Sequence, residues 1–159
     1  MNTEFDILNA SILVVDDQPV NVLLLEQLLA STGYTRVRST MNPLEVAGLH
    51  AEHRYDLILL DLKMPSMDGF QVMQELKKNT RDNYLPVIVL TAEPGHKLRA
   101  LEAGAKDFIS KPFDLVEVKT RIHNMLEVRL LYRKLENYSK LLEHALQQGS
   151  LETGETRQR

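Results

Sequence analysis

Apolar residues follow two rhythms along this chain. Ile12 to Val15, Leu57 to Leu60, Val87 to Leu90 and the weaker Asp107 to Ile109 are short runs without polar alternation. Runs apolar on both faces suit parallel strands covered by helices on either side. A fifth segment, Thr35 to Ser39, alternates and carries Arg36 and Arg38, as an edge strand does. Between these runs the apolar positions recur at helical spacing, in Val20, Leu23, Leu24 and Leu28 and again in Phe70, Val72, Met73 and Leu76. Asn42-Pro43-Leu44-Glu45 offers an N-cap, a proline at the first helical position and a Glu three residues after the cap; Asp114 with Glu117 repeats that box. Gly33 and Gly104 stand where helices should stop. Strand and helix thus alternate through five βα units, which predicts a parallel sheet with right-handed crossovers in an open, doubly wound α/β domain.

From about Asp114 the chain has neither Gly nor Pro until Gly149, enough for a helix of roughly 50 Å at 1.5 Å per residue. Its first apolar stripe, Leu115, Val118, Ile122 and Met125, suits packing on the sheet. After a change of register, Val128, Leu131, Leu135, Tyr138, Leu142 and Ala145 take up a and d positions of a heptad. That second stripe lies beyond the reach of the α/β core, and each large side chain left in water forfeits about 1.5 to 3 kcal/mol of burial. A partner helix is the expected remedy, so the stripe predicts a homodimer built on an extension over residues 129–148. Tyr132, Ser139, Leu141 and Leu146 at e and g widen the apolar face, leaving a four-helix arrangement or packing against the α/β domain open. Residues 149–159 are polar with two glycines and are expected to be disordered.

Composition narrows the setting. The 159 residues hold one domain and an appendage, and 43% hydrophobic residues suffice for a core. A net charge of −3, from 19 basic and 22 acidic residues mixed along the chain, argues against direct nucleic-acid or anionic-membrane binding. With no cysteine there is no disulfide or thiol chemistry. The apolar runs are too short to cross a bilayer and the start, with Glu4 and Asp6, is no signal peptide. The expected location is the cytoplasm.

The chemistry gathers at strand ends. Asp16 and Asp17 directly follow the first strand and Asp61 directly follows the second of the long apolar runs. Open α/β sheets bind ligands outside the carboxyl ends of their strands at a topological switch point. If these two strands adjoin, three carboxylates converge, and hard oxygen ligands crowded together call for a cation, Mg²⁺ first. The next strand ends in Thr91 and the last leads into Lys111, adding a hydroxyl and an ammonium to the same rim. An oxygen nucleophile, a divalent cation, a cationic side chain and a donor are the parts that phosphoryl transfer needs. Asp61 is the expected nucleophile. The five histidines are scattered and receive no role.

Val14-Val15-Asp16-Asp17, Asp61-Leu62-Lys63-Met64-Pro65-Ser66-Met67-Asp68-Gly69, Leu90-Thr91-Ala92 and Lys111-Pro112-Phe113 occur in that order. In these motifs the chain resembles the receiver domain of two-component response regulators, over about residues 10–128. The resemblance implies a (βα)5 fold with flavodoxin-like strand order 2-1-3-4-5, and a receiver domain over residues 1–128. It implies that Asp61 takes phosphate from a sensor histidine kinase, that Asp17, Asp61 and the Lys63 carbonyl bind Mg²⁺ directly, and that Asp16 helps through water. It further implies a cis bond before Pro112 and a switch in which Thr91 moves toward the phosphoryl group as Phe108 turns inward. Such a protein catalyses only its own phosphorylation and dephosphorylation. A haloacid-dehalogenase-type phosphatase would need an Asp where Lys63 stands, and a flavodoxin-like cofactor carrier would need a Ser/Thr/Gly-rich loop where Asp16-Asp17-Gln18-Pro19 stands. The long helix also resembles those that follow receivers in regulators with HD-GYP or GGDEF output domains, so the chain is alternatively the input half of a larger regulator.

Overall fold

A computed structural model describes residues 3–79 and 86–157 of the chain. β1 (Ser11–Val15), β2 (Arg36–Thr40), β3 (Leu57–Asp61), β4 (Val87–Thr91) and β5 (Asp107–Ser110) form one parallel sheet in the order β2-β1-β3-β4-β5. The helices are α1 (Thr3–Leu8), α2 (Pro19–Thr32), α3 (Val46–His53) preceded by a 3₁₀ turn at Pro43–Glu45, α4 (Gly69–Asn79), α5 (His96–Glu102) and α6 (Leu115–Arg157). This is the expected (βα)5 order with β2 and β5 at the edges, and none of the described helices is long and apolar enough to cross a membrane.

Alternate residues of the buried strands feed two cores, because successive side chains point to opposite faces. Leu13, Val15, Ile58, Leu60, Val87 and Val89 meet Val46, Phe70, Met73, Leu76 and Ala100 from α3, α4 and α5. Ile12, Val14, Leu57, Leu59, Ile88 and Leu90 meet Leu25, Leu29, Val118, Ile122 and Leu126 from α2 and α6. β1, β3 and β4 are buried along their whole length, which is why they read as unbroken apolar runs. The predicted helix boundaries hold at Gly33 and Gly104, whose φ of 112° and 111° only glycine adopts readily. Asn42 and Asp114 cap as expected: the Leu44 amide donates to Asn42 Oδ1, and the Val116 and Glu117 amides donate to Asp114 Oδ1. Neither box closes reciprocally. Glu45 accepts instead from the Thr40 hydroxyl, and Glu117 accepts from Arg121.

Three readings of the helices need correction. In α2 the core side is Val22, Leu25, Leu28 and Leu29, while Val20 and Leu23 are exposed. The helix carries apolar residues nearly all round, so spacing alone selects no face. In α6 the sheet side is Val118, Ile122 and Leu126, an i, i+4 row; Leu115 is exposed and Met125 only partly buried. The helix also does not stop at Gly149 but continues to Arg157, through most of the segment expected to be disordered. Two glycines cost a helix about 1 kcal/mol each, and the intervening Glu and Leu are good helix formers. Residues 158–159 of that segment lie outside the described residues. α1 leaves no periodic signal in the sequence, since six residues carry too little periodicity; it inserts Ile7 into the second core beside α6.

Beyond Leu126 the helix stays docked for two more turns. The Arg133 guanidinium donates to Asp56 Oδ1 (2.6 Å), whose other oxygen accepts from the Ser11 amide and hydroxyl. Lys134 pairs with Asp6 of α1 at 3.9 Å. From Asn137 to Gly149 every residue is exposed, so α6 projects from the domain.

Candidate functional site

β1 pairs with β3, Val15 opposite Leu60, so Asp16 leaves one strand end beside Asp61 at the other. The crossovers from these neighbours go to opposite faces, making this the switch point of the sheet. Asp16, Asp17 and Asp61 each bring a carboxylate oxygen within 4.8 Å of the others, and Asp16 and Asp61 are almost wholly buried. β5 lies beside β4 with Ser110 opposite Thr91, which carries Lys111 to the same rim. Lys111 Nζ stands 3.1 Å from Asp61 Oδ1 and 3.4 Å from Asp16 Oδ2. The Lys111–Pro112 peptide is cis. A pocket of about 200 Å³ opens between these groups, lined among others by Asp17, Asp61, Lys63, Thr91 and Lys111.

Backbone donors hold the acids in place. The Gln18 amide donates to Asp16 Oδ1 (2.9 Å) and the Lys63 amide to Asp61 Oδ1 (3.4 Å). Burial, and then the Asp16 charge, push the Asp61 carboxyl up to about 6, against the opposing pull of Lys111 and of the Lys63 amide. Asp17 Oδ1 is buried without a hydrogen-bond partner. Three clustered carboxylates, two of them paired with one ammonium and the third with an orphaned oxygen, fit a hard divalent cation bound by oxygen. The donor set contains no sulfur or imidazole that would favour a softer metal.

Asp16, Asp17, Asp61, Thr91, Lys111 and Lys63 therefore meet at one rim, as their strand-end positions predict. Thr91 faces its own loop: its Oγ1 accepts from the Glu93 amide (3.1 Å) and donates to the Glu93 carbonyl (3.3 Å). Phe108 lies apart from the pocket, half-buried on β5. Three features escaped the sequence reading. Glu93 and His96 also line the pocket, with Lys63 Nζ 3.3 Å from Glu93 Oε1 and His96 Nε2 3.1 Å from Glu93 Oε2, so one histidine does join the rim. A lone loop Glu carries no signal, except that it stands two residues past Thr91. The steric part played by Gly69, named above only as a motif residue, is the third: a Cβ there would lie 2.8 Å from the Asp61 carbonyl oxygen and from Leu62 Cα, so only glycine lets α4 start this close to the end of β3.

Residues 12–123 match the response regulator receiver domain family. The chain belongs to that family. The receiver is 38% identical over 130 residues to the response regulator PleD of Caulobacter vibrioides, an alignment covering 80% of this chain and 28% of that protein. It is 33% identical over 140 residues to a probable cyclic di-GMP phosphodiesterase of Vibrio cholerae, covering 87% of this chain and 31% of that one. The chain thus spans less than a third of the length of these curated relatives. Among solved structures it resembles the receiver domain of a Pseudomonas aeruginosa sensor histidine kinase, which has magnesium coordinated in its active-site cleft. That likeness has a TM-score of 0.68 and 31% identity, over 75% of this chain and 98% of that one.

Proposed function

We propose that this receiver accepts a phosphoryl group from a sensor histidine kinase onto Asp61, with Mg²⁺ held by Asp17, Asp61 and the Lys63 carbonyl and aided by Asp16. The observation that carries the reading is the clustering of three acids, two of them paired with Lys111, with Asp17 Oδ1 left unpartnered. With a pKa pushed up to about 6, Asp61 is mostly ionised at pH 7 and can act as nucleophile. One of its oxygens attacks the phosphorus of a phosphohistidine; the P–N bond breaks, its electrons return to the kinase imidazole, and an aspartyl phosphate forms. Lys111 balances the charge gathering on the equatorial oxygens. The Thr91 hydroxyl exchanges its Glu93 partners for a phosphoryl oxygen, and Phe108 turns inward behind it. Bound Mg²⁺ supplies Lewis-acid neutralisation of the transferred group. The test is intact mass after incubation with acetyl phosphate and Mg²⁺: wild type gains one phosphoryl group and Asp61→Asn gains none. Undiminished uptake by Asp61→Asn overturns the reading.

We further propose that the signal leaves through α6 as a homodimer, in the cytoplasm and without direct nucleic-acid or membrane contact. Val128, Leu131, Leu135, Tyr138 and Leu142 are each 52–69% exposed, and Leu141 and Leu146 beside them are as wet. These apolar residues, with Ala145 continuing the heptad, lie where the receiver's own core does not reach. Light scattering at tens of micromolar tests the coil: a monomer, or a dimer unaffected by Leu135→Glu with Leu142→Glu, refutes it. The alternative reading is the input half of a larger regulator whose HD-GYP, GGDEF or other output domain is missing from this chain. The likeness to a probable cyclic di-GMP phosphodiesterase favours it, and both readings share the same phosphoacceptor.

A further inference from the structure

β5 is an edge strand, so the Phe108 ring has strand β4 on one side and the sheet's open edge on the other. It is half-buried against the first core, with side chains from both helical layers around it. From α5, Lys97 places its Nζ 4.8 Å from the ring centroid. From α6, on the opposite face, Arg121 places its Cζ 5.6 Å from the same centroid. Both distances fall within the range of about 6 Å at which a cation is attracted to an aromatic face.

The two cations are not equivalent. Lys97 offers a point charge on a flexible stem, whereas Arg121 is tied down by three hydrogen bonds. Its Nη1 donates to both Asp107 oxygens (2.9 and 3.0 Å) and its Nε donates to Glu117 Oε1 (2.9 Å). Asp107 precedes Phe108 on β5 and Glu117 lies one turn before Arg121 on α6, so the guanidinium is anchored on both elements. The helix is firmly packed at this point, since Val118 and Ile122 flank the arginine and are completely buried. A planar, weakly hydrated guanidinium fixed in this way meets the ring at little further entropic cost. Phe108 has no hydroxyl with which to choose a position, so attraction at its face acts without competition from a ring hydrogen bond.

We propose that Arg121 is a positioning residue that holds the Phe108 ring at the sheet edge in the unphosphorylated receiver and so couples the ring's position to α6. The proposal rests on the reading of Phe108 as the switch residue. When the ring turns inward, Arg121 keeps Asp107 and Glu117 but loses its aromatic neighbour, so the ring contact alone is what the switch exchanges. The surroundings of a side chain rooted on α6 then depend on the state of the phosphorylation site.

The test uses the full chain labelled with para-fluorophenylalanine, whose Phe108 resonance is assigned by its loss in Phe108→Leu. In metal-free, unphosphorylated protein, Arg121→Gln should move that resonance toward the position it takes with Mg²⁺ and beryllofluoride. The same variant should bind beryllofluoride about two- to fivefold more tightly, as expected for loss of a half-exposed cation–π contact that opposes the inward state. In a Phe108→Ala background Arg121→Gln should have no effect on that affinity, which separates action through the ring from a general loosening of α6. Arg121→Ala serves as a second variant with the same expectations. If Phe108→Ala itself leaves beryllofluoride affinity unchanged, the switch reading fails and this proposal with it. If Phe108→Ala alters the affinity while Arg121→Gln does not, or acts equally with and without the ring, the switch reading stands and the role of Arg121 is overturned.

Discussion

Replacing Asp61 with Asn should strengthen the metal-free fold at neutral pH while abolishing its chemistry. The Asp61 carboxyl has a pKa near 3.8 in an unstructured chain and about 6 in the fold, raised by burial and by Asp16. A shift of about two units corresponds to roughly 3 kcal/mol at about 1.4 kcal/mol per unit. The folded carboxyl holds its proton more tightly than the unfolded one. Below about pH 4 both forms are protonated and Asp61 exacts no penalty. Between about pH 4 and 6 the unfolded chain loses its proton first and stability falls; above that the full penalty persists. Asn is neutral throughout and escapes it. The shift is already net of the pull of Lys111, which in the variant keeps Asp16 at 3.4 Å. The expected net stabilisation at pH 8 is about 2 to 3 kcal/mol, or roughly 4 to 12 °C in melting temperature for a chain of this size. At pH 4 most of it should be gone. Urea unfolding followed by far-UV circular dichroism, in EDTA across pH 4 to 8, reads this directly, and adding Mg²⁺ should favour wild type and narrow the gap. An Asn variant less stable than wild type at pH 8 without metal, or a difference independent of pH, would refute the assignment of electrostatic strain to Asp61.

Asp17→Ala should lose Mg²⁺-dependent phosphate uptake yet remain folded, because its orphaned oxygen contributes no hydrogen bond to the apo protein; uptake at the wild-type rate would remove Asp17 from the metal site. Lys63→Ala should shorten the life of the phosphoryl group, since Lys63 and its partner Glu93 stand at the pocket rim where an attacking water must pass; slower loss of phosphate from the variant counts against that. Gly69→Ala should destabilise the fold by about 1 to 3 kcal/mol and slow phosphorylation at least several-fold, because the new Cβ meets backbone atoms of Asp61 and Leu62 that cannot rotate away. Unfolding curves and acetyl phosphate kinetics identical to wild type would show that the strand end can yield.

Much of the candidate site is legible in the sequence because its residues are attached to strand ends, and strands buried on both faces announce themselves as local apolar runs. Asp16, Asp17, Asp61 and Thr91 each stand at the end of such a run, and Lys111 directly follows the end of β5, so their elevation on the sheet is a local property. The caps at Asn42 and Asp114 and the stops at Gly33 and Gly104 are likewise short-range matters of backbone geometry. Adjacency is different in kind. That Val15 lies opposite Leu60, which turns separate acids into one cluster, depends on pairing across more than one crossover and appears in no local pattern. The faces of α2 and α6 are also decided by docking: where more than one apolar row is on offer, the sheet beneath selects one, burying Val22 and Leu126 and leaving Val20 and Leu115 in water. The same holds for Arg121 and Phe108 and for Arg133 and Asp56, pairs that sequence distance hides and the closing of α6 over β5 and the sheet floor creates. Which residues are candidates for chemistry follows from residue type at a strand end and is local; which of them meet follows only from the packed sheet, because meeting requires contacts between segments whose local patterns do not refer to one another.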